Sequence, residues 1–269
     1  MAIYDCFQYF NEDRVLDLRF NILNQKVDYF VISESTKTHQ GNAKKLNFDI
    51  NNFSKFKHKI KYIIADYDKK IDFENHTGGE SVVEQHQRNS LSEGLIDAND
   101  NDLIILSDSD EIPDLTKLNQ IKKSTKFTAF SQMMFMYKLN LQNLNESNWI
   151  GSKIALKKNF PMPQKLRNLK FKKYPFWRID KQRNIQIIAN GGWHFAYLQT
   201  PDKISNKIKS FSHGEFNKAN ISDEEIIKSK IAKGEDIFER GFKLKKIDID
   251  DQFPEYILKN KISFKDWIV

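Results

Sequence analysis

One cysteine, six prolines, ten glycines and no long apolar run: these scarcities limit what the 269 residues can build. A single Cys6 excludes an intrachain disulfide and a cysteine-based zinc site. Lying in the apolar run Ile3 to Phe7, it reads as buried filler rather than a reactive thiol. No stretch approaches the roughly 20 apolar residues of a membrane span. The opening Met1-Ala2-Ile3-Tyr4-Asp5-Cys6 has no basic segment ahead of an apolar one, so no secretory signal is read there. A cytoplasmic chain, or one peripheral to a membrane's cytoplasmic face, is the expectation. With so few prolines and glycines there is no flexible linker, and no internal repeat or low-complexity tract breaks the chain. That argues for a single domain over residues 1–269.

Segregated charge is also missing. The net charge is +7, but lysines run along the whole chain mixed with acids and amides. The densest basic stretch with aromatics, Lys165 to Arg178, has no zinc finger, stacking motif or sustained basic helix beside it. Nucleic acid is therefore not an expected partner. A moderate basic bias suits an anionic substrate or contact with an anionic membrane surface.

What is present begins with 39% apolar residues, including 13% aromatics, enough for an ordered core. Short apolar runs at Ile3–Phe7, Asp28–Ser33, Lys59–Ala65 and Asp102–Ser107 read as strands. Between them, Arg14–Leu23 has helical spacing, and Ser81-Val82-Val83-Glu84 is a capping box opening a helix to about Ala98. Alternating strands and helices predict an α/β domain with a largely parallel sheet. The second half predicts longer strands at Phe127–Asn140 and Ile150–Lys157, and short ones at Ile185–Ala189 and Trp193–Ala196. Helices follow, one opened by Thr200-Pro201 and one by Ser222-Asp223-Glu224-Glu225. About residues 1–125 then form a nucleotide-binding half and about 126–269 an acceptor-binding half.

Ligands of parallel sheets collect beyond the carboxyl ends of the strands, which points to Asn11-Glu12, Glu34, Asp66 and Asp108–Glu111. Asp108 and Asp110 follow the buried run Leu103–Leu106, two residues apart, and in extended backbone they would face one side. Two converging carboxylates repel unless a cation lies between them, and hard oxygens suit Mg²⁺ or Mn²⁺ on a phosphate. The plainer alternative is an acidic turn capping a helix near Asp114. On the preceding helix Gln85, Arg88 and Asn89 share a face, placed either to bind a nucleotide or to hold the carboxylates. His194, in Gly191-Gly192-Trp193-His194-Phe195, is a core histidine or a metal or diphosphate ligand. His213 and Glu215, in Ser210–Phe216, offer a further ligand and a base. The acids and Arg240 within Gly234–Arg240 read as surface, on a possible helix.

Taken together these segments resemble glycosyltransferase family 17, the β-1,4-mannosyl-glycoprotein 4-β-N-acetylglucosaminyltransferases (N-acetylglucosaminyltransferase III). The resemblance lies in Tyr4–Phe7, Tyr9–Glu12, Leu16–Arg19, Val27–Ser35 and Thr38–Gly41. It continues through Gln87-Arg88-Asn89, Leu106–Pro113, Gly191–Tyr197 and Ser210–His213, in one order over most of the chain. It implies a GT-A fold with a Rossmann-like, mostly parallel central sheet and a strand-rich, helix-covered acceptor half. It also implies an inverting transfer from a nucleotide sugar, UDP-N-acetylglucosamine in the animal enzyme, to a glycan hydroxyl.

Under this resemblance Asp108 and Asp110 map onto the family's metal-binding acids, for Mn²⁺ or Mg²⁺, with His194 or His213 as further ligands. The resemblance does not assign the base; by position, Arg88 and Asn89 are expected to support the donor, Asn11 and Glu34 to lie near the nucleotide or sugar, and Glu111 or Glu215 to act as the base. With no membrane anchor read in this sequence, a surface polysaccharide or a lipid-linked glycan is the expected acceptor. The competing readings are a metal-dependent phosphohydrolase or nuclease using the same acids, and a non-catalytic glycan-binding module.

Overall fold

The computed structural model describes residues 1–66, 81–172, 174–175, 177–178, 180, 182–210 and 219–269. Four strands form its parallel part: β1 (Ile3–Gln8), β2 (Tyr29–Ser35), β3 (Ile60–Ala65) and β4 (Leu103–Ser107). They lie in the order β3-β2-β1-β4. Alternate side chains feed opposite faces, so this part is apolar on both. Phe7 and Ile105 join the core under helix α1 (Asp13–Leu23), while Cys6, Ile104 and Leu106 join another on the opposite face. Leu16, Phe20 and Leu23 turn inward from α1, and the Phe20 ring packs on Phe30 with centroids 4.6 Å apart. Helix α2 (Val82–Ser90) covers the other face. Its cap is Ser81, whose hydroxyl accepts from Glu84 N at 3.1 Å.

Beyond β4 the sheet changes character. A short β5 (Glu111–Pro113) leads to β6 (Phe127–Met136), β7 (Leu141–Asn143) and β8 (Asn148–Leu156). Short turns join β6 to β7 and β7 to β8. The tight turn after β6 makes β7 antiparallel to it, and β8 continues in the direction of β7 along the other side of β6, antiparallel to β6 and, on its far edge, to β4. Helix α3 (Pro163–Asn168) follows, then β9 (Ile185–Ile188) and β10 (Gly192–Ala196), both parallel to β6. Helices α4 (Pro201–Ser210), α5 (Ala219–Ser222) and α6 (Glu224–Lys233) cover that end. Strand β11 (Leu244–Lys246), antiparallel to β7, α7 (Glu255–Lys259) and a 3-10 helix over Lys261–Trp267 complete the described chain. The fold is therefore a mixed α/β one. Its sheet is parallel from β3 to β4 and largely antiparallel beyond, which corrects the expectation of a mostly parallel sheet.

Other boundaries move for local reasons. The helix opened at Ser81 tightens into a 3-10 turn over Leu91–Leu95, where Gly94 backs so closely onto Val31 that a Cβ would lie 2.3 Å from Val31 Cγ1. Asp223, not Ser222, caps α6, accepting from Glu225 N and Ile226 N. The stretch Gly234–Arg240 is a turn rather than a helix, because Gly234 ends α6 in the left-handed region at φ 67°. Among the described residues no helix is long and apolar enough to cross a membrane.

Candidate functional site

The acids after β4 sit on a tight turn, not on extended backbone as the spacing suggested. Glu111 N donates to Asp108 O at 3.1 Å, and the chain then re-enters the sheet as β5 against β10. What fixes this turn is Arg19, fully buried on α1. It forms a bidentate pair with Asp5 (2.5 and 2.6 Å). Its remaining Nη1 donates to the carbonyls of Asp108, Ser109 and Glu111 at 3.1, 3.2 and 2.7 Å. The backbone is gripped from behind, and the Asp108 and Asp110 side chains are left facing a cavity.

That cavity, of about 260 Å³, lies beyond the carboxyl ends of β1 and β4. Asp108, Asp110, Arg88 and His194 all line it, so four residues that sequence reasoning singled out converge. Asp108 accepts from Arg167 Nη2 at 2.6 Å and lies 3.6 Å from Arg88 Nη2. Burial works to raise its pKa, but the two guanidiniums outweigh it, and the carboxyl titrates below its usual range. For Asp110 burial is again the largest influence, and His194, at 3.4 Å, with Lys207 overcomes it to bring the pKa to about 2. Burial alone would lower the His194 pKa; the carboxylates of Asp110, Glu111 and Asp108 raise it instead. Its Nδ1 is buried with no partner among the described residues.

The remaining expectations land elsewhere. Glu111 is fully buried behind the cavity, where it accepts from Trp149 Nε1 at 2.6 Å, Arg167 Nη1 at 3.1 Å and Asp108 N at 3.0 Å. Glu34 is also fully buried, holding Asn47 N, Phe48 N and the Tyr62 hydroxyl at 2.7, 3.0 and 2.8 Å, with Lys44 beside it. Asn89 accepts from Gln164 N at 3.0 Å and so docks α3 onto α2. Asn11 accepts from Gln199 Nε2 at 2.9 Å, outside the cavity. His213 and Glu215 lie outside the described residues.

Two residues that sequence reasoning missed add positive charge, Lys207 in the lining and Arg167 behind it. Arg167 comes from α3 and Lys207 from α4, both out of lysine-rich stretches that read as solvated surface. Lys207 is buried and paired with Glu12 at 2.8 Å, a contact that raises its pKa against the pull of burial. Glu12 in turn accepts from Phe10 N and Asn11 N, and its pKa is lowered. The i, i+4 repeat of Lys203 and Lys207 on α4 was the one available signal, and it does not say which face is buried.

Acids and fixed cations around one cavity suit an anionic ligand such as a diphosphate. Whether they also suit a divalent cation can be judged from the donors. Among the described residues no three His, Cys, Asp or Glu side chains converge to hold a metal by themselves. The ionised pair Asp108 and Asp110 nevertheless fits an ion that takes one or two carboxylates and draws the rest of its shell from phosphate and water. His194, with its raised pKa and its Nε2 on Asp110, fits better as a partner of that carboxylate than as a ligand.

The combination is a mixed-charge cavity suited to a phosphate-bearing ligand. Residues 1–241 match the family model of glycosyltransferase family 17, and the chain belongs to that family. Its activity is glycosyl transfer, which implies a nucleotide-sugar donor and a glycan acceptor and sets aside the phosphohydrolase and binding-module readings. No curated protein matches the chain.

Proposed function

We propose that the cavity holds the diphosphate of a nucleotide sugar in a GT-A arrangement, and that the sugar passes with inversion to a glycan hydroxyl. The observation that carries this reading is the meeting of the Asp108–Asp110 turn with Arg88 and Lys207 around one cavity, with Arg167 paired to Asp108 from behind its lining. The family resemblance favours UDP-N-acetylglucosamine as donor. Mn²⁺ or Mg²⁺ on Asp108 and Asp110 would supply Lewis-acid neutralisation of the leaving diphosphate. The protein's own contribution is fixed positive charge: Arg88 and Arg167, already on Asp108, and Lys207. Glu111 is a positioning residue that sets Arg167 and Trp149, rather than a base in contact with the acceptor. Asn11, Glu34 and Asn89 act one layer out, through the loops and helices they fasten.

Glu215, outside the described residues, stays a candidate base, and among the described residues the proton acceptor is sought in the lining of the cavity. Its carboxylates are each engaged: Glu12 with Lys207, Glu84 with Arg88 at 2.7 Å, Asp108 with Arg167 and Asp110 with His194. His39 lines the same cavity 3.8 Å from Glu84. Burial depresses its pKa below the ordinary 6.5, with Glu84 opposing, so it is a neutral imidazole at neutral pH. Two histidines pushed in opposite directions mark an acid–base division of labour, and His39 is the base in this assignment.

A thermal-shift panel of nucleotide sugars, with and without Mn²⁺, tests the donor site. The wild-type protein should respond to one nucleotide class in a metal-dependent way, and Asp110→Asn should lose that response. An undiminished response in Asp110→Asn would remove the donor-site assignment. His39→Ala should keep the response and lose about 10²- to 10⁴-fold in transfer rate, the usual worth of a general base. Transfer at the wild-type rate would exclude His39.

A further inference from the structure

Two neighbouring strands of the sheet end in the same unusual way. Strands β6 and β10 run parallel, with Met136 and Ala196 as their last pair. Each is followed by a tyrosine in the left-handed region, Tyr137 at φ 65° and Tyr197 at φ 55°. Bulky side chains rarely adopt that backbone, and such strain persists only where the surroundings over-determine it. Here Tyr137 N donates to Ala196 O at 2.9 Å, Lys138 N to Met136 O at 2.7 Å and Gln199 N to Tyr197 O at 2.8 Å. The two rings lie side by side, their centroids 6.2 Å apart.

Their hydroxyls differ. Tyr137 is fully buried, and its hydroxyl donates to Asp236 at 3.0 Å and accepts from Ile237 N at 3.2 Å, so its hydrogen bonds are made within the fold. Tyr197 is half-buried and lines the cavity of Asp110. Its hydroxyl has no hydrogen-bond partner among the described residues and is not sealed from solvent. The ring itself is already covered, by Phe238 with centroids 5.1 Å apart and by Lys207 Nζ at 5.6 Å from its centroid. What is left for a ligand is the hydroxyl. We propose that the Tyr197 hydroxyl is a further donor-site group, donating a hydrogen bond to a phosphate oxygen of the nucleotide sugar. The inference rests on the donor-site reading above. The charges that act on this phenol from the cavity are Lys207 and Asp110, the cation and the carboxylate assigned there to the diphosphate. Burial raises its pKa, with Lys207 and Arg240 opposing, so at neutral pH it is a protonated donor. A hydroxyl on a clamped ring can meet charge developing on the leaving diphosphate without reorganising.

Tyr197→Phe keeps the ring in its clamp and removes only the hydroxyl, so it separates contact from packing. Calorimetry with Mn²⁺ measures UDP and UDP-N-acetylglucosamine directly, and uridine as a competitor of UDP, beside a thermal melt of each full-length protein. Tyr197→Phe should melt with wild type and bind UDP about tenfold to a hundredfold more weakly, the scale of one hydrogen bond to a charged group. Its uridine affinity should be unchanged. Tyr137→Phe is the control: it should melt lower, having lost the Asp236 contact, and keep the wild-type ratio of UDP to uridine affinity. Equal UDP affinity in wild type and Tyr197→Phe, a loss confined to UDP-N-acetylglucosamine, or an equal loss for uridine would each overturn the phosphate contact. Absence of UDP binding by the wild type would strike the donor reading and the contact with it, whereas an indifferent Tyr197→Phe beside a binding wild type strikes the contact alone.

Discussion

Arg19 lies beside Phe20 and one turn from Leu16 and Leu23, a charged residue at a position that the helical pattern gives to the core. It is fully buried, because β1 places Asp5 opposite it and the turn after β4 offers three carbonyls to its fork. No window of the sequence holds all three parts: Asp5 is 14 residues away and Glu111 is 92. Removing the guanidinium leaves an uncompensated buried carboxylate, a loss of about 3–5 kcal/mol. Arg19→Met should therefore lower the urea midpoint markedly, and adding Asp5→Asn should recover part of it. A midpoint within experimental error of wild type would refute the tether. The same distance problem explains which site residues were legible. Asp108, Asp110, Arg88 and His194 each sit in a local pattern that announces a strand end or a helix face. Arg167 announces nothing until α3 folds against Asp108, 59 residues away in sequence.

At the scale of elements, β8 shows how a strand with no group in the cavity can still set the site. Trp149 on β8 donates to Glu111, and Ser152 donates to Glu111 O at 3.2 Å. Between them, Gly151 lets Gln132 and Glu111 approach: a Cβ there would lie 1.8 Å from Gln132 Oε1 and 3.1 Å from Glu111 Cδ. Gly151→Ala should overpack this junction at a cost of about 1–3 kcal/mol. Because Glu111 holds Arg167, the variant should also bind UDP more weakly, read by calorimetry beside a thermal melt. Wild-type affinity in a destabilised variant would show that Glu111 does not set the donor site. The strand itself was legible from its apolar run, and so were β1 to β4, α1 and the Ser81 cap. Its direction was not, since alternation reports burial and says nothing of parallel or antiparallel pairing. The turn at Asp108–Asp110 was illegible for a related reason: Ser and Asp suit a strand end and a turn alike, and the Arg19 fork decided between them.

For the whole molecule, one sheet runs from β3 to β11, so the ionisable groups of the Asp110 cavity stand on the frame that unfolds with them, and their titration is linked to its stability. Asp110 gives that coupling a sign. Its carboxyl falls from the ordinary 3.8 to about 2 in the folded chain. It therefore contributes stability that is complete above 3.8 and is lost as pH falls toward 2, a span worth about 2 kcal/mol. His194 acts in the opposite direction. Its pKa is raised above 6.5, so its stability is complete below 6.5 and is lost as pH climbs through the folded value. Asp110→Asn removes the acid limb and weakens the alkaline one, because Asp110 is the leading of the three carboxylates that raise His194. Urea unfolding followed across the acid and neutral range should show wild type losing stability at both ends relative to the variant, with its greatest advantage between them. Parallel curves for the two proteins would mean that the Asp110–His194 pair is not coupled to folding. The electrostatic account of the cavity would then have to rest on Arg88, Arg167 and Lys207 alone.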